Sequence, residues 1–396
     1  MTLQADWAVA QKSAPRAVQL DLLRGLAIVL VLGRHLEPCP QDTSVVLWAV
    51  TSVWARGGWI GVDLFFVLSG FLISGLLFRE YAATGHVNVT RFLIRRGFKI
   101  YPPFWVMILA TVWVSWPVRR AGLLGEVLFL QNYTGRLLQH TWSLAVEEHF
   151  YVVLAALMWW LEGATGRTTR TRFARIPLVF LIVAVVCLSL RVAMAQFAYS
   201  HETHLYPTHL RIDSLMFGVV LSYWWHFTGL ATRVRRSRPM AWGLCALGIA
   251  CCAPAFVFAL EQTPWVSVIG LTLFYLGSGA LLIGVLSLDV PNTPLVRRAA
   301  VIGVFSYSIY LWHIAVYNSG TQVVSALLGH RLSWGAYAAV SLGGSVLIGI
   351  ATAKMIEYPM LRIRDRWYPS VSAEAATPIM LKTSEHRLMP STTTAG

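Results

Sequence analysis

An arginine and a histidine, Arg24 and His35, lie inside the first apolar segment of this chain. The segment opens Leu20-Asp21-Leu22-Leu23-Arg24-Gly25, runs apolar to Leu32 and closes Gly33-Arg34-His35. Charged and titratable groups are costly in a bilayer and turn toward a polar interior or a water-filled path. Arg24 and His35 are eleven positions apart. A helix would present them on one face, roughly 16 Å apart along its axis. A fixed cation at one depth and a titratable imidazole at another is an arrangement for chemistry or transport. The plainer alternative is that Arg24 snorkels to the interface and His35 ends the helix there.

Five further segments carry polar groups into apolar surroundings. The run from Gly57 to Gly75 holds Asp63 and Ser69 among small residues, Gly61, Gly70 and Ser74 included. Close helix packing accounts for the small residues, whereas a carboxylate in a bilayer needs a cationic or hydrogen-bonding partner. Before Tyr101-Pro102, Arg91, Arg95 and Lys99 recur every fourth residue, with Arg96 beside them. Such a cationic helix face suits a polyphosphorylated ligand, because guanidinium groups grip phosphate bidentately; a topology signal is the simpler account. In Thr141-Trp142-Ser143-Leu144-Ala145-Val146-Glu147-Glu148-His149, Ser143 and Glu147 share a helix face. Glu147 could orient an imidazole, position a hydroxyl, or form a structural pair with Arg211. Arg211 and Asp213 either compensate each other or serve other helices. His313, deep in an apolar run, is either a satisfied core residue or part of a site. A metal set drawn from His35, Glu147, His149 and His313 has no supporting spacing, and no metal is expected.

The elements that would position these groups are membrane helices. The chain is 56% hydrophobic and only 13% charged, where soluble domains are nearer a quarter charged. The net charge of +14 falls between apolar runs as orientation signals do, which argues against nucleic acid as a partner and for membrane lipid. The 17 tryptophans suit interfacial belts. The five cysteines form no C-x-x-C and no disulfide framework. Ten spans are expected, at approximately 20–38, 58–78, 100–117, 140–161, 176–195, 207–226, 241–260, 266–288, 299–323 and 335–358, each near the ~20 residues a bilayer needs. Alternate loops hold most of the arginines, among them Arg91, Arg95, Arg96, Arg233, Arg235 and Arg236. The positive-inside rule puts those loops and both termini in the cytoplasm. The expected organisation is a cytoplasmic segment 1–19, a transmembrane domain 20–364 and a disordered tail 365–396. The first span is expected to be retained, since no cleavage site follows it. No fixed-period repeat and no second domain is expected.

In this order and spacing the motifs resemble the acyltransferase-3 family of integral membrane O-acyltransferases, from Leu20 to about Arg364. The resemblance rests on Arg24 with ten residues before His35; Gly61-Val62-Asp63 through Ser69-Gly70-Phe71; Arg95-Arg96 before Tyr101-Pro102; Trp142-Ser143-Leu144 with Glu147 and Phe150-Tyr151; Arg211 with Asp213; Tyr307 through His313; and Glu357 before Pro359. His149 stands where the family usually has glutamine. The resemblance implies ten spans in the bacterial cytoplasmic (inner) membrane, cytosolic acyl-CoA (acetyl-CoA by family habit) as co-substrate with no bound cofactor, and transfer to a hydroxyl, commonly of a sugar. It also implies His35 as the catalytic residue, and the stand-alone form without a fused esterase-like domain.

Acyl transfer needs an activated hydroxyl and a stabilised oxyanion. A neutral imidazole takes a hydroxyl proton at physiological pH, which assigns His35 as base and Glu147 as the group that orients it or meets the acceptor. Arg24, Arg95 and Arg96 would hold phosphates or developing negative charge. Direct transfer and an acyl-histidine intermediate both fit. The expected acceptor is a polysaccharide or lipid-linked glycan, with a glycosylated small molecule such as a macrolide as the alternative. A proton-coupled transporter would show internal repeats. A membrane scaffold would tolerate loss of the ionisable residues.

Overall fold

The computed structural model describes residues 18–114, 120–163, 173–291 and 293–370. Residues 1–17 and the tail from 371 lie outside that set. The described residues form helices and connecting turns with no strand. The main helices are α1 (Val18–His35), α2 (Val45–Gly57), α3 (Gly61–Thr84), α4 (Val89–Val114), α5 (Trp142–Glu162), α6 (Ile176–Met194), α7 (Ile212–Phe227), α8 (Arg238–Cys252), α9 (Leu271–Ser287), α10 (Pro294–Val304), α11 (Ser306–Ala315), α12 (Trp334–Thr352) and α13 (Tyr358–Trp367).

Among the described residues, six helical segments are long and apolar enough to cross a membrane: Val45–Thr84, Gln139–Glu162, Ile176–Met194, Arg238–Val257, Val266–Ser287 and Trp334–Trp367. The ninth expected span is two helices, Pro294–Val304 and Ser306–Leu328, bent by 62°. The remaining three expected spans are helical but more polar or shorter. Helix α1 carries Asp21, Arg24 and Arg34; α4 carries four cations; α7 has 16 residues. The protein is therefore a multi-pass membrane protein, with six such spans among the described residues by length and apolarity and a seventh if the bent pair is counted as one.

Three boundaries differ from the sequence reading. Helix α2, expected as part of a loop, joins α3 through the 3-10 turn Gly58–Ile60. It is capped by Ser44, whose hydroxyl accepts from the Leu47 N–H, and Val45, Val46 and Val50 on it are exposed. Helix α4 begins at Val89 and runs through Pro102 and Pro103, so the cationic helix face lies on the same helix as the third expected span, which starts earlier than residue 100. Helix α13 likewise continues to Trp367, past the point where the tail was expected to begin.

Helix α3 lies at the centre. Residues on every side of it are buried, the mark of a core helix. It packs against α7 through glycine on both sides: a Cβ on Gly70 would lie 1.9 Å from the Leu215 carbonyl oxygen, and one on Gly218 2.3 Å from that of Val67. Backbones can approach this closely only at such residues. Helices α8 and α9 pair, α10 lies along α1, and α11 lies along α12. By contrast, Leu178, Leu181, Ile182 and Val185 of α6 are exposed, as an apolar face turned to lipid would be. All five cysteines are free.

Candidate active site

The last turn of α1 is held from two sides. The Tyr317 hydroxyl donates to the Leu32 carbonyl at 2.9 Å. Arg34 donates to the Ala55 carbonyl at 3.2 Å and pairs with Glu261 at 2.6 Å. This fixes His35, which is half-buried, against two other imidazoles. The His35 and His313 ring centres are 5.0 Å apart, and those of His313 and His140 are 5.1 Å apart.

Backbone carbonyls set the tautomers of the two buried rings. His313 Nδ1 lies 2.6 Å from the Tyr310 carbonyl, and His140 Nε2 lies 3.1 Å from that of Leu311. A carbonyl can only accept, so each of those nitrogens carries the proton. The opposite nitrogens, His313 Nε2 and His140 Nδ1, are then lone-pair acceptors. Both are buried without a partner among the described residues. Three imidazoles thus meet at one end of the bundle, two of them presenting basic nitrogens.

A cavity of about 90 Å³ lies toward the other end. Arg24, Arg96 and Lys99 line it with Ser69, Ser143 and Glu147. Arg24 comes from α1, Ser69 from α3, Arg96 and Lys99 from α4, and Ser143 and Glu147 from α5. Tyr151 donates to Glu147 Oε2 at 3.0 Å, so the Ser69 hydroxyl donates in turn to the Tyr151 oxygen at 2.9 Å. Arg96 also lies over the Tyr151 ring, 5.9 Å from its centre. Three cations against one carboxylate make this cavity a place for an anion, since preorganised cations in a low-dielectric site stabilise negative charge strongly.

A hydrogen-bonded wall separates this cavity from the histidines. Tyr310 lines the cavity, and its hydroxyl donates to the His140 carbonyl at 2.6 Å. Its proton is thereby used, so the Ser143 hydroxyl donates to the Tyr310 oxygen at 2.5 Å. Below the wall, Ser308 donates to Glu357 at 3.0 Å and Tyr307 to the Ile100 carbonyl at 2.8 Å, joining α11 to the turn before α13 and to α4.

The other sequence-selected residues lie elsewhere. Arg95 turns from the cavity to the Tyr368 carbonyl and to Asp365, 3.1 Å away. Arg91 pairs with Glu80 at 2.6 Å. Each step of four residues on a helix advances about 40°, and of the stripe Arg91, Arg95 and Lys99 only Lys99 lines the cavity. Tyr101 donates to Glu148 at 2.9 Å, and His149 meets the Thr208 hydroxyl at 2.7 Å. Asp63 receives a hydrogen bond from Arg211 at 2.8 Å, while Asp213 is held by Arg191 at 2.5 Å. Arg211 lies between the Phe66 and Trp142 rings, 5.6 and 5.7 Å from their centres. Two arginines and two aspartates compensate one another inside the bundle, as buried ions must. Glu147 is therefore not the partner of Arg211.

Sequence reasoning passed over His140 and Arg191. His140 directly precedes Thr141-Trp142-Ser143, yet no local periodicity marks it. Arg191 was the one cation in an otherwise apolar span, and that isolation was a usable signal.

A peptidoglycan O-acetyltransferase, OatA, of Listeria monocytogenes is 26% identical over 334 residues, covering 77% of this chain and 50% of that protein. The O-acetyltransferase OatA of Staphylococcus aureus (strain NCTC 8325) is 24% identical over 324 residues, covering 75% and 50%. A Staphylococcus aureus (strain COL) protein with a provisional O-acetyltransferase name is 26% identical over 329 residues, covering 74% and 50%. The chain thus spans about half the length of the curated relatives it matches. No solved structure matches it. The family described as the acyltransferase domain matches residues 18–350, and with the matched stretch carrying both the cationic cavity and the three histidines, the chain belongs to the acyltransferase-3 family.

Proposed function

We propose that this protein transfers a short acyl group, acetyl in the simplest case, from cytosolic acyl-CoA to a hydroxyl of a carbohydrate. The observation that carries the reading is the pairing of an anion-suited cavity at Arg24, Arg96 and Lys99 with an imidazole cluster beyond the Ser143–Tyr310 wall. Phosphates of the donor sit among the cations, and its long pantetheine arm extends toward the histidines. His35 takes the proton of the acceptor hydroxyl. The oxygen attacks the thioester carbonyl, the C–O bond forms as the C–S bond breaks, and the proton passes to the leaving thiolate. The products are the ester and free CoA thiol. Glu147, bonded to Tyr151 on the cationic side, acts on the donor by balancing the cations and holding the arm. The loop charges support a reading with the cationic end in the cytoplasm and His35 toward the outside, and the membrane in this reading is a bacterial cytoplasmic one. Relatives named for peptidoglycan and general O-acetyl transfer support a glycan acceptor.

Radiolabelled acetyl-CoA incubated with the purified protein tests this. Thioester consumption should depend on the added hydroxyl acceptor, and His35→Ala should reduce it by roughly 10²–10⁴-fold, the usual worth of a general base. The KM for acetyl-CoA should stay unchanged in that variant. Well-folded His35→Ala protein with near wild-type transfer would overturn the mechanism. Acceptor-independent behaviour would return the chain to the transporter or scaffold readings.

A further inference from the structure

Beyond His35 lies a second cavity with different chemistry. It is about 360 Å³, within the ~300–1,000 Å³ typical of small-molecule sites. His35, His140, Gln139, Asn318, Gln322 and Tyr337 are among the residues that line it. None of the described residues lining it is lysine or arginine, and its one charged group is the Glu37 carboxylate. It therefore repels anions and offers what a neutral polyol needs: amides that both donate and accept, hydroxyls, and an aromatic ring.

The backbone around the cavity is held in place, and the Gln139, Asn318 and Gln322 side chains on it are exposed. Asn318 sits in a π-helical turn, Val316–Gly320, a backbone irregularity that recurs at functional sites. Tyr317 of the same turn is bonded to α1. The chain after His35 is fixed by Trp334, whose indole N–H donates to the Glu37 carbonyl at 3.0 Å. Finally, His140, only 4% exposed, lines this cavity with its Nδ1 lone pair unpartnered among the described residues. A buried acceptor of that kind calls for a donor supplied by the ligand.

We infer that this second cavity seats the acceptor as an uncharged carbohydrate ring, with a hydroxyl donating to His140 Nδ1 and the Asn318 and Gln322 amides reading its neighbours. This rests on the acyl-transfer reading and adds that the acceptor ring is uncharged and which residues select it. It separates the charged end of the donor from the neutral acceptor by the Ser143–Tyr310 wall.

The test uses the full chain in detergent, with cellotriose as the neutral probe, glucose 6-phosphate as the charged one and n-octanol as the apolar one. Gln322→Cys protein is labelled with a maleimide and the modified site located by mass spectrometry. Cellotriose should slow labelling at position 322 severalfold, and the other two probes should not. In acetyl transfer to cellotriose, Asn318→Ala should raise the acceptor KM by roughly three- to tenfold, the worth of one neutral hydrogen bond, without moving the KM for acetyl-CoA. Protection by octanol or by glucose 6-phosphate instead, or protection by none, overturns the inference. Labelling needs no turnover. Loss of cellotriose protection therefore speaks against this cavity, whereas a protein that never consumes acetyl-CoA speaks against acyl transfer itself.

Discussion

Arg95 and Arg96 are adjacent in sequence, and the structure predicts different consequences for removing them. Arg96 lines the cationic cavity beside Arg24 and Lys99. If it grips a donor phosphate, Arg96→Ala removes a hydrogen bond between charged groups, worth about 1.5–3 kcal/mol. At about 1.4 kcal/mol per factor of ten, the KM for acetyl-CoA should rise by roughly 10- to 100-fold. The lower part of that range is expected, because two cations remain in the cavity. The contact exists before and during the reaction, so kcat should fall far less than kcat/KM. Arg95 instead meets Tyr368 and Asp365, the latter about half exposed. Exposed ion pairs of that kind contribute about 0.2–1 kcal/mol. Arg95→Ala should therefore loosen the end of α13 and leave the donor KM within about threefold of wild type. Initial rates of thiol release at varied acetyl-CoA, with a saturating acceptor, distinguish the two variants. Raising the salt concentration should also narrow the gap between wild type and Arg96→Ala, since screening weakens phosphate attraction. Equal rises in donor KM for both variants, or a fall in kcat alone at Arg96, would refute the reasoning.

Two further outcomes follow from the segments outside the spans. Glu126 accepts from the Leu137 and Leu138 N–H groups at 3.1 and 2.9 Å and from Thr141, and so shapes the turn that presents His140. Burial pushes its carboxyl up to about 7; raised above the ordinary value, it makes the folded state hold the proton more tightly, so its contribution to stability falls as pH rises from about 4.5 to about 7. Glu126→Gln keeps an oxygen for the two N–H groups and lacks the titration, so the wild-type thermal midpoint should decline across that window relative to the variant's, and parallel curves would remove Glu126 from the account. Reporter fusions at Gly85 and Arg236 should report cytoplasm and those at Arg136 and Tyr206 the outside; a cytoplasmic signal at Tyr206 would break the expected topology.

What the sequence made legible was local. Helical spacing put Arg24 and His35 on one face of α1 and Ser143 with Glu147 on one face of α5, because residues on one helix keep their relation whatever surrounds them. The requirement that a membrane carboxylate find a cation foretold a partner for Asp63. That the partner is Arg211, 148 positions away, and that Asp213 turns instead to Arg191 in α6, depends on which helices touch. Glycines decide that: a Cβ at Gly70 or Gly218 would keep α3 and α7 apart.

The division of the site into two cavities is of the same non-local kind. Arg24 and His35 share a helix, yet they line different spaces, and Tyr310 of α11, which lines the first, bonds to His140, which lines the second, 170 positions away in the chain. No spacing within either segment encodes that meeting. The cationic stripe before Tyr101 was equally legible as a helix face and equally silent about its division, since helices α3 and α13 supply Glu80 and Asp365 to Arg91 and Arg95. A charge repeat on one helix thus names the side chains available for a ligand. Which of them stay free to meet it is settled by the carboxylates of the neighbouring helices, and here Arg96 and Lys99 are the two left lining the cavity.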